Sequence, residues 1–390
     1  MTLLNGCVDM KIGIITFCGN GNFGSELQAI AMNDFCEKQG HNVTFCIAKS
    51  SNKLMRIAEL ISGKIEVLLS SCLNKEYREF YKQTNKNAHL QISITETQKN
   101  KVIEYVMSRI FIKRLSAHAI RNGKFDCYIC GSDQIWSAAK MPFGSFRFLA
   151  GIPSFKKIAY APSFGINTLP EFFRKRAMKY IIDFNHLSVR ELTAQKCIQE
   201  NTGLEAKIVL DPTMMIGRKY WEEQIINKDS GCCVFYFLGE LTDEQAVYIN
   251  RIADGRKIIV LPSNTHCKNL INAEYYTANP IDFISYIYHA DMVFTDSFHG
   301  TAFSILFEKE FITFNRTQAD KIKQTSRIFS LLEQFGLKDR FCDNINNFVL
   351  SPLDFAQMKV KLQQKQLESR QFLIEALSAV ENYALKRKEA

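Results

Sequence analysis

Short, nearly continuous apolar runs alternate along this chain with longer stretches in which apolar residues recur at helical spacing. Lys11-Ile-Gly-Ile-Ile-Thr-Phe17 is the first such run. It has no polar face, so it reads as a strand covered on both sides, the habit of parallel sheets. A helical pattern follows from Ser25 to Lys38, with Gly40 as its stop, and Val43 to Ala48 forms the next run. Strand, helix, strand in that order implies a right-handed crossover. Residues 52–122 read as mostly helical, from their Leu, Ile and Met spacing and their Lys, Glu and Gln content, and form an insertion before the strand at Phe125 to Ile129. Ile158 to Ala161 is a further strand, closed by Pro162-Ser-Phe-Gly165. A helix around Pro170 to Tyr180 leads into His186-Leu-Ser-Val-Arg-Glu191, where the approach to a second half is placed.

Alternation then resumes, with strands near Lys207 to Leu210, Cys232 to Leu238, Lys257 to Leu261, Met292 to Thr295 and Phe311 to Phe314. Ser351 to Arg387 is one long amphipathic helical pattern ending in Lys386-Arg387-Lys388, cations suited to a helix C-terminus. At 390 residues the chain exceeds the roughly 250–300 at which single cores split. The expectation is an α/β protein of two Rossmann-like domains, 1–185 with its helical insertion at about 50–122 and 186–350, followed by a helix over 351–390 that packs back across both. Ligands of such sheets bind beyond the carboxyl ends of the strands, here in a cleft between the halves.

Composition changes this picture little: 46% hydrophobic and 23% charged residues are ordinary for a globular protein. Charge adds one feature. Residues 49–124 hold 15 Lys or Arg against 6 Glu, a surplus that equals the whole formal net charge of +9. The region lacks regular stacking aromatics and dense basic blocks, which argues against nucleic acid. It leaves an anionic lipid surface or a merely solvated helical face. The twelve cysteines show no framework spacing, Met1 to Met10 has no secretory pattern, and no stretch reaches the ~18 apolar residues of a membrane span, so a cytoplasmic location with reduced thiols is expected. Cys127 and Cys130 make a C-x-x-C on a strand, where residues three apart face opposite ways. The seven histidines are scattered without paired ligand spacing, so no metal is expected.

Candidate chemistry gathers where strands end. Asp291 to Leu306 runs from a strand through Ser297-Phe-His-Gly300 into an apolar helix, which sets an imidazole beside unpaired helix N–H groups. His299 there either touches a bound anion and passes a proton near neutral pH, or caps the turn. Gly131-Ser-Asp-Gln-Ile-Trp136 follows the strand at Phe125. Its Asp133 suits accepting a proton from a sugar hydroxyl, Gln134 bonding one, and Trp136 lying against a sugar ring, with helix capping as the alternative for Asp133. Arg190 adjoins the same cleft, with Glu191 as a structural partner, and Asp211-Pro212 reads as a helix entry. Gly19-Asn-Gly-Asn-Phe-Gly24 is a formal dinucleotide fingerprint, yet the second strand ends in Ala48-Lys49-Ser50, with no acid for the ribose. The glycines are read instead as a tight turn that lets backbone approach a ligand.

Taken in order, Asn22-Phe-Gly-Ser-Glu-Leu-Gln28, Gly131-Ser-Asp-Gln-Ile-Trp136, Ser163-Phe-Gly165, Ser188-Val-Arg-Glu191, Leu210-Asp-Pro-Thr213 and Thr295-Asp-Ser-Phe-His-Gly300 resemble the polysaccharide pyruvyl transferase family. Arg327-Ile-Phe-Ser-Leu-Leu332 with Gly336-Leu337 resembles its closing segment, so the likeness runs from about residue 11 to 340. The resemblance implies a GT-B-like fold and transfer of the enolpyruvyl carbons of phosphoenolpyruvate to a hexose of a cell-surface polysaccharide precursor, as a ketal, with no cofactor beyond that donor. It implies His299 and Asp133 as catalytic residues. Arg190 with the backbone at Ser297, Phe298 and Gly300 would bind the donor, and Asn22, Gln134 and Trp136 the sugar or lipid-linked oligosaccharide acceptor. Several members carry Arg two places before the histidine where Ser297 stands, and Arg316 and Arg327 are expected to compensate. A GT-B glycosyltransferase using a nucleotide sugar is the alternative.

Overall fold

The central strands of this protein are short and walled in on both faces, which is why they read as apolar runs. The computed structural model describes residues 9–48, 75, 78, 79, 96–138, 145–262, 269–316 and 326–389. The first sheet holds β1 (Lys11–Ile15), β2 (Asn42–Ala48), β3 (Ile112–Leu115), β4 (Cys127–Cys130), β5 (Lys157–Ala159), β6 (His186–Val189) and β7 (Lys207–Ile208), in the spatial order β3-β2-β1-β4-β5-β6-β7. The second holds β8 (Cys233–Tyr236), β9 (Ile258–Val260), β10 (Ala273–Tyr275), β11 (Met292–Thr295), β12 (Glu310–Phe314) and β13 (Phe341–Cys342), in the order β10-β9-β8-β11-β12-β13. Every pairing is parallel. Both sheets therefore wind outward from a central strand and then reverse, at β1/β4 and at β8/β11, and ligands of open sheets bind at such reversals. The architecture is the expected α/β one of two Rossmann-like halves.

Helices cover the sheets: α1 (Phe23–Lys38), α2 (Glu96–Met107), α3 (Ala117–Arg121), α4 (Glu171–Ile181), α5 (Leu192–Thr202), α6 (Pro212–Met215) and α7 (Arg218–Glu222), then α8 (Asp243–Ala253), α9 (Pro280–His289), α10 (Phe298–Leu306), α11 (Ser326–Phe335) and α12 (Phe355–Glu389). The halves join through an apolar seam. Phe23, the first residue of α1, stacks on Phe283 of α9 with ring centroids 4.8 Å apart and lies 5.8 Å from Tyr236 of β8. Helix α12 touches α6, α11 and the turn at Ser154–Lys156, so it spans both halves.

Three expectations change. The boundary drawn at 185/186 would cut the first sheet, because β6 and β7 pair onto β5 and extend that sheet to Ile208. Within the stretch expected to be helical, Ile112–Leu115 pairs along β2 as an edge strand. Edge position explains the misreading: IKRL has only half-buried apolar ends and two exposed basic residues between them, so it carries no apolar run. Most of residues 52–95, where the rest of the insertion falls, lies outside the described residues. The short edge strands β10 and β13 were likewise not anticipated. Cys127 and Cys130 are buried on β4, and Cys130 Sγ donates to the Arg147 carbonyl at 2.8 Å. Burial pushes the Cys130 thiol up to about 12, against the role of a reactive thiolate. Among the described residues no helix is long and apolar enough to cross a membrane.

Candidate functional site

Strand β11 ends at Thr295, and the turn after it is fixed by its own side chains. The Asp296 carboxylate accepts the N–H groups of Leu238 and Gly239 at 2.6 and 2.7 Å and the Nε of Arg316 at 3.1 Å. Ser297 caps α10, its Oγ accepting from the Gly300 N–H at 3.4 Å, while its own N–H goes to Thr295 Oγ1 at 3.0 Å. A Cβ at residue 300 would fall 2.4 Å from Thr295 Oγ1, so that position requires glycine. These bonds correct the expected anion site: the amides of Ser297 and Gly300 are already used, and Phe298 and His299 keep the N–H groups that the first helical turn leaves over. The guanidinium of Arg316 is turned onto Asp296, its Nη2 donating to that residue's carbonyl at 3.0 Å.

His299 points across the seam. Its Nε2 lies 3.7 Å from Asp211 Oδ1, an electrostatic contact too long for a hydrogen bond, and its other face rests on Gly24 of α1. Asp211 is the hub of the first half's contribution. Its Oδ2 accepts from Arg190 Nη1 at 2.8 Å and Ser132 Oγ at 2.9 Å, and its Oδ1 from Thr213 Oγ1 and the Thr213 N–H at 2.8 and 3.1 Å. Burial alone would raise the Asp211 carboxyl, but the His299 imidazole, the Arg190 guanidinium and the Thr213 amide together hold it well below the usual carboxylate range. From the sequence Asp211 reads as a turn or helix entry and as part of a family motif, with no catalytic or binding role. The signal available was its place after a strand, beside a proline, in one of the ordered motifs.

Arg190 stands between the halves, its Cζ 4.0 Å over the Phe298 ring and its Nη2 3.7 Å from Asp133 Oδ1. Asp133 Oδ2 accepts from Ser25 Oγ of α1 at 2.7 Å. Glu191 directs Oε1 to Ser163 Oγ and the Phe164 N–H at 2.8 and 3.0 Å, so it is not the partner of Arg190 that the sequence suggested. Burial raises its carboxyl, outweighing the neighbouring Arg190 and Ser163. Arg327 comes to the same place from α11, where burial first and then the charges of Arg316 and Arg190 push its guanidinium down to about 9. Five buried polar atoms here have no hydrogen-bond partner among the described residues: Arg190 Nε and Nη2, Glu191 Oε2, His299 Nε2 and Arg327 Nε. His299 and Arg190 lie buried where the halves meet, 6% and 3% exposed.

The three expected acceptor contacts look different in the structure. Trp136 is wholly buried, stacked on Phe148 at 5.5 Å with Nε1 donating to the Arg147 carbonyl, so it has no free face for a sugar and belongs to the core. Asn22 is the N-cap of α1, its Oδ1 accepting from the Ser25 N–H at 3.2 Å. The Gln134 carboxamide packs against Gly165, where a Cβ would come within 2.9 Å of its Cδ. In the glycine loop the amides of Gly19, Asn20 and Gly21 all donate to the Glu26 carboxylate, at 2.8, 2.8 and 3.0 Å. The donors that a dinucleotide phosphate would need are thus taken by the chain's own anion.

The family model for polysaccharide pyruvyl transferase matches residues 22–318, from the cap of α1 past Arg316. The chain belongs to the polysaccharide pyruvyl transferase family. Within that match lie Asp133, Arg190, Asp211 and His299, whereas Arg327 and α12 fall outside it. A search of curated proteins found no match. Among solved structures the chain is similar to a UDP-GlcNAc 2-epimerase from Neisseria meningitidis bound to UDP-GlcNAc (8% identity, 97% of this chain and 99% of that one, TM-score 0.45). It is also similar to the N-terminal domain of trehalose-6-phosphate phosphatase from Candida albicans (8%, 96% and 97%, 0.48) and to the glycosyltransferase SnogD from Streptomyces nogalater (10%, 97% and 99%, 0.40).

Proposed function

We propose that this member of the pyruvyl transferase family moves the enolpyruvyl group of phosphoenolpyruvate onto two hydroxyls of a hexose in a cell-surface polysaccharide precursor. The observation that carries the reading is the set of buried polar atoms without a hydrogen bond on Arg190, Arg327, Glu191 and His299 at the seam, two of which only face Asp133 and Asp211 at 3.7 Å. Buried polar groups are normally satisfied, so a cluster of mostly cationic orphans asks for an anionic ligand. In the proposed reaction the His299 imidazole gives a proton to the donor's methylene carbon, which becomes methyl. The electron-poor C2 takes the oxygen of one sugar hydroxyl, whose proton passes to Asp133. Phosphate then leaves with the electrons of its C–O bond and takes up the proton from Asp133, and the second hydroxyl closes the ketal while its proton restores the imidazole acid. Arg190 and Arg327 hold the donor's charged oxygens, and Asp211, kept ionised, holds the imidazole in place. The acceptor on this reading is a sugar or lipid-linked oligosaccharide, met by a cytoplasmic enzyme that touches the anionic face of the inner membrane.

His299→Ala is expected to lower phosphate release from phosphoenolpyruvate by about 10²- to 10⁴-fold while the circular dichroism spectrum at 25 °C shows the fold retained. Phosphoenolpyruvate should also raise the melting midpoint of the parent protein and not that of Arg190→Ala. Protection by UDP-sugars instead, with no response to phosphoenolpyruvate, would move the protein to nucleotide-sugar chemistry.

A further inference from the structure

The turn that carries Asp211 is held from behind by a helix that the family model does not cover. Gln366, Ser369 and Arg370 lie at i, i+3 and i+4 on one face of α12. Ser369 Oγ accepts the Leu210 N–H at 2.9 Å, Gln366 Nε2 donates to the Met214 carbonyl at 2.8 Å, and Arg370 donates to the Met215 and Ile216 carbonyls at 2.8 and 3.0 Å. Both ends of the stretch from 210 to 216 are therefore pinned by α12. Arg370 has no carboxylate partner among the described residues, and its guanidinium closes the last turn of α6, whose N-cap is Asp211. At Gly217, whose φ is +96°, a Cβ would come within 2.9 Å of Arg370 Nη2. Tyr160 adds a third support, its hydroxyl donating to the Leu210 carbonyl at 3.0 Å.

We infer that Arg370, with Ser369, is a positioning residue of the reaction: it fixes the α6 turn so that Asp211 meets Arg190 and His299 across the seam. The inference rests on the site reading above. A carboxylate bonded by Arg190, Ser132 and Thr213 is only as well placed as its backbone, and a displacement on the order of 1 Å at such a site costs about 100-fold in rate.

The test is a double-mutant cycle on kcat/KM for phosphate release from phosphoenolpyruvate, with methyl hexopyranosides as acceptors, using Arg370→Ala, Asp211→Asn and the pair. Arg370→Ala should lose about 10- to 100-fold in kcat with KM for phosphoenolpyruvate changed far less. Arg370→Lys, which can still reach one carbonyl, should recover part of it, and Ser369→Ala provides a milder probe if the alanine variant folds poorly. In the Asp211→Asn background the Arg370→Ala loss should disappear. Additive losses, or a lower melting midpoint with kcat unchanged per folded molecule, would overturn the inference and leave a plain structural clamp. An inactive Asp211→Asn beside a fully active Arg370→Ala would sink the inference alone, whereas a fully active Asp211→Asn would sink the site reading with it.

Discussion

His299 is fixed by what its neighbours lack as much as by what they offer. An ideal Cβ built on Gly24 falls 1.9 Å from its Nδ1, so the ring sits where any other residue in α1 would place a methyl group. Gly24→Ala should therefore displace the imidazole. The expected result is a loss of turnover close to that of His299→Ala, together with about 1–3 kcal/mol of stability from overpacking, read by urea denaturation. Full activity in the alanine variant would show that the ring need not lie there. At this scale the sequence was a good guide where chemistry and local pattern coincide. Arg190 stands between a strand and a helix and His299 in the first turn of α10 just after β11, placements contained within a few residues. Trp136 misled because an indole buried against Phe148 and one facing a sugar look alike in a motif. Asp211 was underrated because its importance comes from Arg190 and His299, side chains brought to it only by folding.

Among the elements, short uninterrupted apolar runs predicted β1, β4, β8 and β11 because a strand covered on both faces must be apolar throughout. The edges escaped for the complementary reason, and β3 shows what an edge strand can carry. Exposed Lys113 and Arg114 lie on it, and the strand follows Met107 and Phe111, which are 54% and 57% exposed. Lys113 Nζ stands 5.3 Å over the Phe111 ring. Exposed apolar side chains flanked by cations suit an anionic lipid surface, and this patch is the proposed contact with the membrane face. The purified protein should sediment with vesicles containing phosphatidylserine at low salt and be released by salt. Phe111→Ser should weaken that binding without altering turnover on a soluble acceptor. Protein left wholly in the supernatant with anionic vesicles would rule the contact out.

Over the whole molecule, two sheets of the same winding order meet through the apolar stacking of Phe23 and through the charges around Asp211. That each half is a parallel α/β unit was legible from alternation, whereas the strand order was not. Where the first sheet ends was not, because β6 and β7 resemble the start of a new unit as much as the end of an old one. The seam also sets a pH dependence. The folded-state pKa of Asp211 is depressed, so its contribution is complete above the ordinary carboxylate range, about pH 4, and is lost as pH falls below it. Asp211→Asn should cost about 3 kcal/mol or more at neutral pH, because Arg190 loses its closest carboxylate, and should make the acid limb of the stability curve shallower. An unchanged acid limb, measured by denaturant midpoints from pH 6 to pH 2, would contradict this.

The placement of His299 on one half and of Arg190, Asp133 and Asp211 on the other has a thermodynamic consequence. On the proposed reaction, a centre divided between two bodies exists only while they are together, so affinity for the donor and the free energy of docking the halves are one linked quantity. Whatever separates the halves raises the donor concentration needed for half-saturation by the same factor by which it depletes the docked form. A substitution in the Phe23–Phe283 stack, which touches neither donor nor proton, would then register in a kinetic assay as a weaker grip on substrate.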